Sequence, residues 1–391
     1  MSHRDPIRYA HLDARRPARQ RVLHFRHLNA DDTDSAHDRL RYVPDRPDVV
    51  ESRLHEGETT SATVRQGSWA RLTEQNSLAS PGPENETSRV KMHEGQVEIS
   101  ADDVRAMLLT QRPDLSDPLI RPVVSSGTVA TLFRLDEDLV ARYPLVPAAD
   151  DVRRVEICGE IAHAQAVSTR VSLEVPEPVC VGEPNDRYPG WWSVWRWLPG
   201  ETMCQDAVND LNRFARDLAS FVREYRAMPT DGRTWDGACR GGGPLLDKDE
   251  WVRHSIARSS HLVDTDTVTA IWEECLRADP HDDDPVFIHS DLLAANLLAR
   301  EGRLAAVIDL GLPHAGDPAA DLTPAWHILG SESRRIWREE LTPDDESWTR
   351  AKGWALEQAI GALHYYEHSN QGMFSAARRT LNELIKEPSL R

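Results

Sequence analysis

Lysine is nearly missing from this chain. Its 46 basic residues include only four lysines, Lys91, Lys248, Lys352 and Lys386, with none between the first two. Any task in that stretch that needs a fixed positive charge falls to arginine, which keeps the charge but grips an anion with a planar fork. No run of eighteen apolar residues occurs, so no membrane-spanning helix is expected. The five cysteines, Cys158, Cys180, Cys204, Cys239 and Cys275, are scattered without a C-x-x-C pair. That excludes a disulfide frame or a zinc ribbon and reads as the reduced thiols of a cytoplasmic protein. No basic segment leading into an apolar core opens the chain, so no secretory signal is expected.

Acid outweighs base. Against 64 aspartates and glutamates, the basic residues leave a net charge of −18. Residues 1–91 hold 15 basic and 14 acidic side chains, so the remainder carries −19. An acidic body disfavours nucleic acid and suits small cationic partners. A length of 391 residues suffices for two lobes and an appendage. Residues 1–91 read as that appendage. They lack cysteine, carry the turn-rich Ser80-Pro81-Gly82-Pro83 and show no sustained apolar period. A disordered or non-native extension is expected, and a chain starting at Met92 should fold without it.

The chemistry is concentrated between Val286 and Trp326. A β-rich triplet, Val286-Phe287-Ile288, leads to His289-Ser290-Asp291 and then Asn296, the pattern H-x-D-x4-N. A second apolar run ends in Ile308-Asp309-Leu310-Gly311, with Asp309 eighteen residues after Asp291. Phosphoryl transfer from a nucleotide needs these parts: a carboxylate facing the acceptor hydroxyl, and an Asn and an Asp for Mg2+. Asp291 is the candidate for the first, Asn296 and Asp309 for the metal. A hard cation takes oxygen ligands of this kind together with phosphates.

With Gly316-Asp317-Pro318-Ala319-Ala320-Asp321-Leu322 following, the segment resembles the catalytic and metal loops of the aminoglycoside phosphotransferase family of small-molecule kinases. That family shows H-G-D-x4-N, I-D-x-G and G-D-P-x-x-D-L. This chain departs at Ser290, where Gly is usual, and at Leu310, where an aromatic is usual. The resemblance spans residues 92–391. It implies an α+β, bilobal protein-kinase-like fold: a nucleotide-binding lobe over 92–200 with a small antiparallel sheet, and a mostly helical lobe over 201–391 for catalysis and acceptor binding. It implies ATP or GTP as donor, Mg2+, and a small hydroxylated acceptor such as an aminoglycoside or related antibiotic, with resistance as the consequence. Two other readings stay open: a metabolite kinase of the choline or homoserine type, and a nucleotide-binding protein that has lost catalysis. The missing lysine and Ser290 motivate the last.

The first lobe is read in chain order. Ser100 with Asp103 can cap a helix whose stripe is Val104, Met107 and Leu108, ended by Pro113. Val123 to Leu135 reads as strand, small-residue turn, strand. Ser126 and Gly127 in that turn are candidates to let main-chain N–H groups approach nucleotide phosphates. A third strand over Asp138–Pro144 carries Arg142, where the resemblance places a phosphate-holding basic residue. Asp151 to Thr169 reads as a helix, with Glu160 the resemblance's partner for Arg142. Trp191 to Glu201 runs from strand to turn, and Trp195, Trp197 and Leu198 are candidates for the nucleobase pocket.

In the second lobe, Gln205 to Ala227 shows apolar residues at three- and four-residue steps and reads as a long helix. Residues 229–248 read as a loop. The region from there to the catalytic loop is the part that the resemblance makes variable and acceptor-shaping. Helices follow over Glu332–Glu340, Asp344–Tyr366 and Ala376–Lys386. Trp354, Glu357, Gln358 and Tyr365 lie on neighbouring turns that can face the acceptor.

Overall fold

The computed structural model describes residues 95–387, apart from 116, 124–128, 205–206 and 238–240. The expectations for residues 1–91 and for Ser126 and Gly127 fall outside the described residues.

The first helix, α1 (Ala101–Gln111), begins as its sequence demands. Ser100 Oγ accepts the N–H of Asp103, and the Asp103 carboxylate accepts the N–H of Ser100. This reciprocal box satisfies two donors that a helix start otherwise leaves without partners. Val104, Met107 and Leu108 are buried and face a five-stranded antiparallel sheet in the order β1-β2-β3-β5-β4. The strands are β1 (Ile120–Pro122), β2 (Ala130–Leu135), β3 (Leu139–Pro144), β4 (Pro178–Gly182) and β5 (Trp192–Arg196). The first strand thus ends at Pro122, before Val123, where the sequence reading starts it. The register explains the shift: Ile120 pairs with Leu135 and both are buried, and an edge strand tolerates Pro122. The core of this lobe gathers Phe133, Tyr143, Tyr188 and Trp192, with Tyr143 stacked on Trp192 at 5.2 Å between ring centroids.

Helix α2 (Asp151–Ser168) starts where Asp150 accepts the N–H of Arg153. It fastens this lobe to the next. Ala164 and Val167 of α2 and Trp195 of β5 belong to the second lobe's core, together with Phe214, Leu218 and Tyr225. A two-residue strand, β6 (Glu201–Thr202), then pairs not with the first sheet but with β8 (Leu297–Arg300) of the second lobe.

The second lobe is mostly helical. Helix α3 spans Leu211–Arg226, starting later than the apolar period because Asp210 accepts the N–H groups of Asn212 and Arg213. Two helices then occupy the stretch expected to be variable: α4 (Asp249–Arg258) and α5 (Thr265–Leu276). Next come β7 (Val286–Ile288), β8, β9 (Arg303–Val307) and β10 (His314–Gly316), with β7 antiparallel to β10. Glu301 and Gly302 close the β8–β9 hairpin with φ of 55° and 75°, the pair of positive values that two-residue hairpins favour. The chain ends in α6 (Pro324–His327), α7 (Ser331–Leu341), α8 (Asp345–Tyr365) and α9 (Gln371–Lys386). Among the described residues no helix is long and apolar enough to cross a membrane. The result is the bilobal α+β arrangement: an antiparallel-sheet lobe with its helices, then a helical lobe carrying short ribbons.

Candidate active site

Strand β7 delivers His289-Ser290-Asp291 to the edge of the second lobe. The loop is held mainly through its backbone. The buried Asp321 carboxylate accepts the N–H of His289 at 2.9 Å and that of Ser290 at 2.7 Å. Gln358 of α8 donates to the carbonyl of Ser290 at 3.4 Å. Ser290 sits at φ 61°, the left-handed conformation that a glycine adopts without cost. His289 is a brace. Its Nδ1 accepts the N–H of Asp291, which leaves Nε2–H to donate to the carbonyl of Ile308 at 3.1 Å. Asn296 donates Nδ2 to both the carbonyl (2.9 Å) and the carboxylate (2.8 Å) of Asp291. Its amide oxygen therefore faces away from Asp291.

The second carboxylate arrives on the far side of β9. The carbonyl of Asn296 accepts the N–H of Ile308 at 2.9 Å, which ties the two loops together one residue before Asp309. Asp309 also has φ 61°, a conformation that Asp tolerates better than most side chains. Arg142 on β3 reaches both ways. One guanidinium nitrogen lies 3.2 Å from Glu160 of α2, the other 3.6 Å from Asp309. Burial lifts the Glu160 carboxyl above its usual range, and Arg142 and then Arg153 pull it back toward the ionised form. A narrow crevice beside the pair is lined by Val129, Arg153, Ile157 and Ser193.

The nucleobase candidates separate. Trp195 is buried in the core shared by the lobes, its indole N–H donated to Ser193 Oγ at 2.8 Å. Trp197 is half-buried and covered by the Arg134 guanidinium, 4.0 Å from the ring centroid. Leu198 is half-buried in the segment joining the lobes. The N–H groups of Arg196 and Trp197 are committed to the carbonyls of Glu177 and Asp138. Pro199 has no N–H, which leaves the N–H groups of Leu198 and Gly200 as the candidate main-chain donors of this segment.

The residues fit Mg2+ in one specific way. Asn296 and Asp309 offer an amide oxygen and a half-exposed carboxylate, both hard donors. Among the described residues no cluster of three or more His, Cys, Asp or Glu side chains forms a cage of its own. One or two protein oxygens completed by phosphates is the usual way Mg2+ binds beside a nucleotide.

Three contributors have no role in the sequence reading. Asp321 appears there only as part of its motif, yet it holds the loop from His289 to Asp291. Asp317 of the same motif accepts from Arg350 at 2.6 and 3.3 Å and caps the turn at Pro318 through the N–H of Ala319. Arg226, half-buried at the end of α3, donates to the carbonyl of Pro318 at 2.6 Å and lies in the field of Asp321 and Asp317. The motif's two acidic residues were the available signal. Leu310 is buried in the larger core and keeps an apolar role in place of an aromatic. Of the acceptor-facing candidates, Gln358 reaches the carbonyl of Ser290, Trp354 is buried and Tyr365 is exposed.

A family model described as the phosphotransferase enzyme family, APH, matches residues 120–354. Among solved structures, the GDP and kanamycin complex of APH(2")-IIia aligns with a TM-score of 0.56 at 19% identity, over 71% of this chain and 97% of that one. The GDP complex of wild-type aminoglycoside 2'-phosphotransferase-IIIa aligns with a TM-score of 0.52 at 20% identity, over 72% and 96%. At these identities the likeness is one of fold. No curated protein matches the sequence.

Proposed function

This chain belongs to the phosphotransferase enzyme family, and on that premise we propose that it moves the γ-phosphoryl group of ATP or GTP to a hydroxyl of an aminoglycoside or related antibiotic. The observation that carries the reading is one connected set: Asp291, Asn296, Asp309, Arg142 and Glu160, drawn from both lobes and linked by hydrogen bonds and ion pairs.

Each residue has a task in this reading. Asp291 accepts the proton of the acceptor hydroxyl as its oxygen bonds to the γ-phosphorus and the bond to the β–γ bridging oxygen breaks, leaving the nucleoside diphosphate. Asn296 fixes the Asp291 carboxylate through Nδ2, and its amide oxygen would serve as a metal ligand. Arg142, oriented by Glu160, binds phosphate with the forked geometry that lysine lacks. Leu198 offers its N–H to the nucleobase. Asn296 and Asp309 would hold Mg2+, which would neutralise charge on the phosphates. The remaining rate enhancement comes from positioning, the dominant contribution in this chemistry.

The net −19 of residues 92–391 favours a polycationic acceptor, and the kanamycin complex of a similarly folded enzyme points to the same class. The test is a mass-spectrometric screen of aminoglycosides, other hydroxylated antibiotics and small metabolites with ATP or GTP and Mg2+. A gain of one phosphoryl group on an aminoglycoside is the expected result. A gain on metabolites alone would move the acceptor class, and nucleotide binding without any product would overturn the proposal.

A further inference from the structure

We propose that Gly159 is a positioning residue. Its missing side chain lets Leu312 dock on helix α2 and so clamps the loop that carries Asp309 to the helix that carries Glu160. This rests on reading Arg142, Glu160 and Asp309 as the phosphate- and metal-holding set.

The geometry has three points. Arg142 bridges helix and loop electrostatically, at 3.2 Å to Glu160 and 3.6 Å to Asp309. The third point is apolar: a Cβ placed on Gly159 would lie 2.7 Å from Leu312 Cδ2. Gly159 stands inside an eighteen-residue helix, where glycine is unfavourable, and directly before Glu160. Asp309 and Gly311, at φ 61° and 58°, turn the chain so that Leu312 comes back to α2. The two kinds of contact respond differently to a ligand. An arriving phosphate competes with Asp309 for Arg142, so the ionic bridge loosens when the site is used. The Leu312 contact has no such competitor and keeps Asp309 in register with Glu160. An alanine at 159 pushes aside the tip of a half-buried leucine, which can swing away. The fold then survives while the clamp is lost.

The experiment compares the full chain with Gly159→Ala, Leu312→Ala, the double variant and Asp309→Asn. Nucleotide affinity is measured by calorimetry with and without Mg2+, alongside turnover and thermal midpoint. Gly159→Ala should keep or raise the midpoint, since alanine is the better helix former. It should weaken Mg2+-dependent ATP binding and lower turnover by roughly 10- to 100-fold, the scale of a sub-ångström to 1 Å misplacement. Mg2+-free affinity should stay as in the wild type. Leu312→Ala should cause a comparable loss, because it removes the same contact, and the double variant should lose no more than either single variant. Wild-type affinity and turnover in Gly159→Ala or in Leu312→Ala would overturn the clamp, as would losses that add in the double variant. If Asp309→Asn leaves the Mg2+ dependence intact, the underlying site reading fails and the clamp with it. A normal Asp309→Asn loss beside an unaffected Gly159→Ala would overturn the clamp alone.

Discussion

Ser290 and Asp309 both hold a side chain at φ 61°, and they carry that conformation differently. For Asp it is a tolerated state. For Ser it costs about 1–2 kcal/mol relative to the right-handed region. Ser290 stays there because its N–H is bonded to Asp321 and its carbonyl to Gln358. Ser290→Gly should therefore raise the free energy of unfolding by about 0.5–1 kcal/mol, even after the extra chain entropy that glycine adds to the unfolded state. Denaturant titration measures it, and a lower midpoint would mean that side-chain contacts offset the strain. The same conformation selects the probe for Asp309. Asn also tolerates positive φ, so Asp309→Asn removes the charge without forcing the backbone. It should abolish most of the tightening of ATP binding by Mg2+, and equal tightening in variant and wild type would refute the metal assignment. At this scale the grouping of Asp291 with Asn296, and of Arg142 with Glu160, was legible, because motif spacing ties these residue types together. Asp321 was not, since its partners are main-chain N–H groups that nearly every residue possesses. Nor was the burial of Trp195, because an indole in a pocket wall and one in a core read alike.

Helix α2 joins the lobes through a polar contact inside an apolar interface. His163 is buried, 2.7 Å from the hydroxyl of Tyr225 on α3, and its ring packs near Phe287 of β7. Burial holds its pKa down to about 4, with the positive fields of His314, Arg233 and His289 acting in the same direction. The unfolded chain takes up the proton near the usual 6.5, so it binds more protons than the folded chain at mildly acid pH. The contribution of His163 is then complete above about 6.5 and lost as pH falls toward 4, amounting to about 3 kcal/mol. Thermal midpoints measured across that window should fall less steeply in His163→Gln than in the wild type, and parallel profiles would contradict the assignment. Among elements, those with a capping residue and a clear apolar stripe, α1 and α2, matched the sequence reading within a residue or two. Helices α4 and α5 did not stand out: α5 reads Thr-Asp-Thr-Val-Thr-Ala-Ile-Trp, dense in β-branched residues, and packing against α8 sets its conformation. Strand β1 was displaced because the pairing of Ile120 with Leu135 set its register, and no local signal shows that.

At the scale of the molecule, one large core unites the second lobe with α2 and β5, while a smaller core serves the first sheet and α1. Arg142 belongs to the small lobe, Asp291, Asn296 and Asp309 to the large one, and Glu160 to the helix between them. This division draws the proposed phosphate-holding pair from the small lobe and α2, and the proposed metal oxygens and acceptor-facing carboxylate from the large lobe. It makes a separable prediction about binding and chemistry. Turnover and ATP affinity should be measured side by side for the wild type and Asp291→Asn. A carboxylate that acts on the acceptor hydroxyl should, when neutralised, lower turnover by on the order of 10²–10⁴-fold and leave ATP affinity within about twofold. Turnover within about tenfold of the wild type, or a collapse of ATP binding, would contradict the account.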